Sequence, residues 1–114
     1  MQKTFIAALF ALFSFAHLFA QQGKVFRVMF YNTENLFDTI DDPLTDDSEF
    51  LSGSKKKWDS EKYYLKLDHL SSVIDFAAGK GNFPDMVGLC EVENRSVLND
   101  IVKNKILVKA DYAV

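Results

Sequence analysis

Hydrophobic and polar positions along this chain fall into four patterned stretches. Residues Lys24 to Tyr31 alternate two apolar sets, Phe26, Val28 and Phe30 on one face and Val25, Met29 and Tyr31 on the other. An apolar run with both faces occupied predicts a central strand covered on both sides. Asn32 ends it. After a long polar interval, Tyr63, Leu67, Leu70, Ile74 and Ala77 recur at steps of four, three, four and three, the stripe of an amphipathic helix. Asp59 or Ser60 supplies its N-cap, and Gly79-Lys80-Gly81-Asn82 stops it. Met86 to Cys90 is too short for helical periodicity and reads as a buried strand opened by Pro84-Asp85. A second helix spans about Arg95 to Lys103 and buries Val97, Leu98, Ile101 and Val102; Ile106 to Val108 is apolar, and Asp111 to Val114 starts another strand. The order strand, helix, strand, helix, strand predicts an α/β fold with helices on both faces of a sheet.

Before these elements, Met1 to Ala20 has a different plan. Lys3 is its single charge, an apolar run extends from Phe5 to Phe19, and small residues stand at Ala16 and Ala20. That is the pattern of a secretory signal peptide cleaved between Ala20 and Gln21. A spanning anchor needs about 20 apolar residues, and Ser14 and His17 interrupt a shorter run. The expectation is a signal peptide over 1–20, a folded portion over 21–114, no stable membrane anchor, and a secreted or periplasmic location.

Charge and cysteine usage narrow the class. The formal net charge of −3 becomes −4 without Lys3, so the portion 21–114 lacks the basic surface of a typical nucleic-acid-binding domain. Cys90 is the only cysteine, which excludes an intrachain disulfide, and its place in an apolar run predicts a small core residue. Between Asp38 and Lys57 six acids gather in a long loop, but they lack the spacing of an EF-hand and read as a solvated acidic loop. Gly79-Lys80-Gly81 follows a helix instead of opening one and lacks the spacing of a phosphate loop.

Candidate chemistry sits where the strands end. Glu91 is an acid at the carboxyl end of a buried strand, the sheet rim where α/β folds place ligands. A carboxylate desolvated there is costly unless paired with a cation. Asn32 stands at the end of the other strand; its plain reading, with Asn35, is a turn or cap former. Glu93 is either an outer partner of Glu91 or a charge at the next helix N-terminus. His69 lies off the helix stripe and reads as a surface residue.

Val28-Met29-Phe30-Tyr31-Asn32-Thr33-Glu34-Asn35-Leu36-Phe37-Asp38 resembles the first motif of the endonuclease/exonuclease/phosphatase family, whose first strand ends in an Asn. Leu89-Cys90-Glu91-Val92-Glu93-Asn94 resembles its second, an apolar strand ending in a metal-binding Glu. The pairing of Asn-Leu-Phe-Asp with Glu-Val-Glu-Asn is most similar to the secreted bacterial branch. The resemblance implies the N-terminal part of a deoxyribonuclease-I-like α/β sandwich. It also implies a phosphodiester substrate, with DNA, RNA and phospholipid all open, and Mg2+ or Mn2+ as cofactor. Asn32 and Glu91 are then the catalytic and metal-binding residues. Magnesium prefers oxygen ligands and keeps several waters, so one or two carboxylates suffice to hold it, and Asn32 adds an amide without adding negative charge.

The family's later motifs, an Asp/Arg segment, an Asp-x-Asn pair and a Ser-Asp-His with the catalytic His, have no counterpart in this sequence. Loss of the general base alone removes about 10²–10⁴-fold of acceleration. The expectation is therefore an N-terminal fragment, inactive alone, whose partner is the missing C-terminal half of the domain. The rival expectation is a secreted noncatalytic module that binds a cation or a protein through its acidic loop.

Overall fold

The structure, a computed structural model, describes residues 23–114. The signal-peptide reading of 1–20 falls outside the described residues. Strand β1 (Val28–Leu36) and strand β2 (Met86–Val92) form a parallel pair, joined by helix α1 (Ser60–Ala77). Helix α2 (Arg95–Val102) follows β2, and short 3-10 turns occupy Ser48–Phe50 and Leu107–Ala110. The architecture is α/β, as the alternation of patterns implies.

Each helix begins on a side-chain cap. The Asp59 carboxylate accepts the Lys62 N–H at 3.0 Å, and the Asn94 amide oxygen accepts the Val97 N–H at 3.0 Å. Caps of this kind satisfy backbone donors that have no partner within the helix. At its far end α1 runs into Gly79, whose φ of 87° suits a residue without Cβ. The Asp75 carboxylate secures that turn by accepting the Gly81 N–H at 2.9 Å.

The core lies on one side of the sheet. Leu36, Tyr63, Leu67, Leu70, Ile74, Val97, Ile101 and Leu107 are buried together, and Met29, Val87 and Leu89 pack against them from the strands. Tyr63, Leu67, Leu70 and Ile74 are thus buried as the stripe implies, but Ala77 is exposed and Ser71 takes a fully buried place. Leu98 and Val102 are half-buried because they line a cavity of about 340 Å³ between α1, β2, α2 and the C-terminal residues.

Several expectations change. Both helices contribute to a single core on one face, so the strands are not covered on both sides; Val28 and Met86 are exposed, and Phe30 is 82% exposed. Cys90 shares that bare face through its pairing with Asn32 and is exposed, not a core residue. Apolar composition alone cannot distinguish a covered face from a bare one. β1 starts at Val28 instead of Lys24, because the Arg27 carbonyl accepts from the Asp85 and Met86 N–H groups and no ladder partner lies before them. Asp111 to Val114 forms no strand; Asp111 adopts a left-handed φ of 52°, which interrupts an extended chain. Among the described residues no helix is long and apolar enough to cross a membrane.

Candidate functional site

Asn32 does not end β1; the strand continues to Leu36 through an irregularity that builds the site. The register runs evenly from Val28↔Met86 to Asn32↔Cys90, then resumes at Leu36↔Val92. Thr33, Glu34 and Asn35 thus face only Glu91. Glu34, Asn35 and Glu91 all adopt left-handed φ angles, 53°, 60° and 59°. Such conformations cost of order 1–3 kcal/mol per residue without Gly and gather at functional sites.

The irregularity sets the direction of the acid. Strict alternation would send Glu91 to the covered face with Val87 and Leu89. The left-handed backbone takes it out of alternation, and the side chain is exposed beside Asn32. Asn32 Nδ2 donates to Glu91 Oε1 at 2.7 Å, and the Asn35 N–H donates to Oε2 at 3.1 Å. The Asn32 amide oxygen in turn accepts the Glu34 N–H at 2.7 Å. The two residues singled out from the sequence therefore meet directly. Each Glu91 oxygen has one of these donors and keeps acceptor capacity for another partner.

Thr33, Asn35, Lys66 and Trp58 complete the surroundings, and none stood out in the sequence as a site residue. Thr33 is buried, and its hydroxyl donates to the carbonyls of Cys90 and Glu91 at 2.9 and 2.8 Å, tying the two strand ends together. Lys66 Nζ, from α1, donates to the carbonyls of Glu34 at 2.6 Å and Asn35 at 3.1 Å. Its burial favours the uncharged amine and pulls its titration below the usual lysine range. Trp58 Nε1 donates to the carbonyls of Phe37 and Asp38, both at 3.1 Å. The only advance signal for these donors is their position near the start of a helix that follows the first strand.

Glu93 behaves differently from either role expected of it. Its Oε2 accepts the Asp38 N–H at 2.8 Å, while Oε1 is buried without a hydrogen-bond partner. Burial pushes its titration up, the Asp38 N–H opposes this, and the charges of Asp38, Asp47 and Asp42 raise it further. The carboxylate thus anchors the loop after β1, and the helix N-terminus is served by Asn94 instead. Asn94 also donates Nδ2 to Asp38 Oδ2 at 3.1 Å, so two consecutive residues after β2 hold Asp38.

The acidic loop uses its carboxylates locally. Asp42 accepts the Leu44 N–H at 2.9 Å, Asp47 accepts the Asp42 N–H at 2.9 Å, Asp46 accepts from Ser48 Oγ at 3.0 Å, and Glu49 pairs with Lys56 at 2.6 Å. Phe50 stacks on Phe37 with ring centroids 4.2 Å apart, which docks the loop against the end of β1. Among the described residues no group of three or more His, Cys, Asp and Glu side chains converges as metal ligands do. His69 is exposed on α1, as its place off the stripe implies.

A family model described as the Endonuclease/Exonuclease/phosphatase family matches residues 27–114. Nothing among curated proteins or solved structures matches the chain. The match begins just before β1 and takes in both strand ends, Asn32 and Glu91 included. The chain belongs to the endonuclease/exonuclease/phosphatase family, a family of nuclease- and phosphatase-like hydrolases.

Proposed function

We propose that this chain supplies one wall of a metal-dependent phosphodiester hydrolase site, with Glu91 as the metal-holding carboxylate and Asn32 as its partner. The observation that carries this reading is the Glu91 carboxylate, exposed at the carboxyl end of two parallel strands and fixed by donors at 2.7 and 3.1 Å. The donor set suits a hard divalent cation. A single carboxylate with free lone pairs fits an ion that keeps several waters, as magnesium does, and manganese accepts the same oxygen donors.

Both ends of the Asn32 amide are engaged, Nδ2 by Glu91 and Oδ1 by the Glu34 N–H. Asn32 therefore orients the carboxylate and has one amide lone pair left for the metal's shell. A bound Mg2+ or Mn2+ would supply charge neutralisation at a phosphate oxygen. Within these residues, Asn32, Thr33 and Asn35 hold Glu91 in place before any ligand arrives. Such preorganisation is what electrostatic catalysis needs.

No histidine stands beside Asn32 and Glu91 among the described residues, and we assign the base that activates water to a partner half of the domain. The proposed protein is a secreted hydrolase portion that does not turn over phosphodiesters alone. Nucleic acid and phospholipid are both candidate substrates. The rival reading, a module that binds a cation or a protein through its acidic loop, finds no favouring observation: Asp42, Asp46 and Asp47 hold turns of the loop itself and Glu49 pairs with Lys56.

The test is manganese binding to the full chain, followed by electron paramagnetic resonance. Glu91→Gln should weaken binding tenfold or more, in line with losing a principal ligand, while Glu93→Gln should do much less. Equal losses would mean that the ligand is assigned to the wrong carboxylate. Hydrolysis of bis-(p-nitrophenyl) phosphate with magnesium or manganese should stay at background. Metal-dependent turnover abolished by Glu91→Ala would refute the need for a partner half.

A further inference from the structure

The left-handed turn at Glu34–Asn35 presents the N–H that holds Glu91 Oε2, so whatever fixes this turn also fixes the carboxylate. Backbone acceptors there are fully accounted for. The Glu34 and Asn35 carbonyls take Lys66 Nζ at 2.6 and 3.1 Å, the Leu36 carbonyl takes the Glu93 N–H at 3.0 Å, and the Phe37 and Asp38 carbonyls take Trp58 Nε1 at 3.1 Å. Five successive carbonyls, Glu34 to Asp38, are thus held by partners from outside the strand. The N–H groups of Glu34 and Asn35 go to Asn32 and Glu91, and Lys66 alone takes the carbonyls of these two left-handed residues.

We propose that Lys66 is a further positioning residue of the Glu91 carboxylate, acting through the Glu34–Asn35 turn. It touches neither Glu91 nor any reacting atom. Its ammonium draws two consecutive carbonyls toward α1, and that rotation leaves the Asn35 N–H facing the opposite way, at Glu91 Oε2. The helix gives the ammonium a fixed origin, because α1 is pinned to the core by Tyr63 and Leu67 on either side of it in sequence. The Trp58 ring lies 5.5 Å from Nζ, and a cation over an aromatic face is further restrained there. Charge-assisted bonds to carbonyls are stronger than neutral ones, which suits a turn whose φ angles are intrinsically unfavourable. Lysine is required in place of a shorter donor, since the two carbonyls must be reached from a neighbouring helix and shared by one nitrogen.

This inference rests on the reading of Glu91 as the metal-holding carboxylate, and its test separates the two. Lys66→Met keeps the stem and removes the donors; Lys66→Arg keeps charge and donors. The full chain and each variant would be followed by hydrogen–deuterium exchange over residues 33–38 and by manganese titration, beside Glu91→Gln. We expect Lys66→Met to speed exchange at Asn35 and to weaken manganese about tenfold, within the 10–100-fold span typical of groups that orient a ligand. Lys66→Arg should recover most of both effects.

Manganese affinity unchanged in Lys66→Met but lost in Glu91→Gln would overturn the positioning role and leave the site reading intact. Unchanged Asn35 exchange in Lys66→Met would overturn it as well, whatever the metal does. If Glu91→Gln binds manganese as the parent does, the site reading fails, and the positioning role fails with it even if exchange responds. A general loss of helix content in Lys66→Met is covered by Lys66→Arg: no recovery there, with fold restored, also counts against the proposal.

Discussion

Asn94 is a helix cap at which aspartate, normally as good a cap as asparagine, should fail. Its amide oxygen accepts the Val97 N–H at 3.0 Å, and its amide nitrogen donates to Asp38 Oδ2 at 3.1 Å. On general capping scales Asn, Asp and Ser are about equal, and removing a cap costs about 1 kcal/mol. Asn94→Asp keeps the acceptor and gains about 0.3–1 kcal/mol from negative charge at a helix N-terminus. It also places a second carboxylate against Asp38. Relaxed to about 4 Å, the two charges repel by about 1 kcal/mol under full water screening and about 4 kcal/mol at the screening typical of a protein surface. Since Asp38 and Asn94 are both half-buried, repulsion outweighs the helix term, for a net loss of about 1–3 kcal/mol. Asn94→Ser keeps the cap and loses only the bond to Asp38, about 1 kcal/mol. Urea unfolding followed through Trp58, the single tryptophan, should rank stability as Asn, then Ser, then Asp. In an Asp38→Asn background the penalty of Asn94→Asp should largely vanish, because the amide introduced at position 38 can donate to the carboxylate. Equal stability of the Asn and Asp forms, or no rescue in the double variant, would refute the coupling of Asp38 to this cap.

Tyr63 donates its hydroxyl to Asp100 Oδ2 at 2.8 Å, and burial, that bond and the Asp100 charge all push its titration well above its ordinary 10.0. The folded state then holds the proton more tightly than the unfolded state, so its contribution is complete below pH 10 and is lost as pH rises beyond it. Thermal unfolding should show a steeper alkaline decline in the parent than in Tyr63→Phe; parallel curves would dismiss the pair. Gly88→Ala should be close to neutral. The new Cβ would meet the Phe30 ring at 2.6 Å, but that ring is 82% exposed and free to swing aside, while alanine gains about 0.4–1 kcal/mol by restricting the unfolded chain. A loss above about 2 kcal/mol in urea unfolding, beyond what an unstrained substitution costs, would show that Phe30 is held in place over Gly88.

Much of the architecture was readable because its signals are local. The α1 stripe, the Asp59 cap, the brief apolar run of β2 and the acid that follows it depend on neighbours within a few positions. Asn32 and Glu91 were readable for the same reason, as polar residues that break apolar runs, and the structure brings them within hydrogen-bond distance. The remaining features depend on contacts distant in sequence. Cys90 and Phe30 looked like core residues, yet which strand face the helices cover is decided by the crossover, not by the strand. β1 outruns its apparent end at Asn32 because the turn-forming Asn32 and Asn35 mask a strand that only pairing across to Val92 keeps in the sheet as far as Leu36. Glu93 stands two positions from Glu91 in sequence, whereas its partner, the Asp38 N–H, lies across the sheet end.

Three left-handed residues at one sheet end, Glu34, Asn35 and Glu91, would be a defect if nothing opposed them. Together they cost of order 3–9 kcal/mol by the usual range for each. Five donated protons meet there: two from Lys66, one from the Thr33 hydroxyl forked between two carbonyls, and those of the Glu34 and Asn35 N–H groups. At about 0.5–1.5 kcal/mol net apiece they offset most of a strain of that size. The balance has a consequence for the site. A regular parallel ladder would have needed none of these bonds, but it would have sent Glu91 under the helices. The irregular one turns the carboxylate outward and ties its orientation to α1 through Lys66 and to β2 through Thr33. Loosening any of these ties releases strain instead of merely losing a contact, so the carboxylate should respond to substitutions that never touch it.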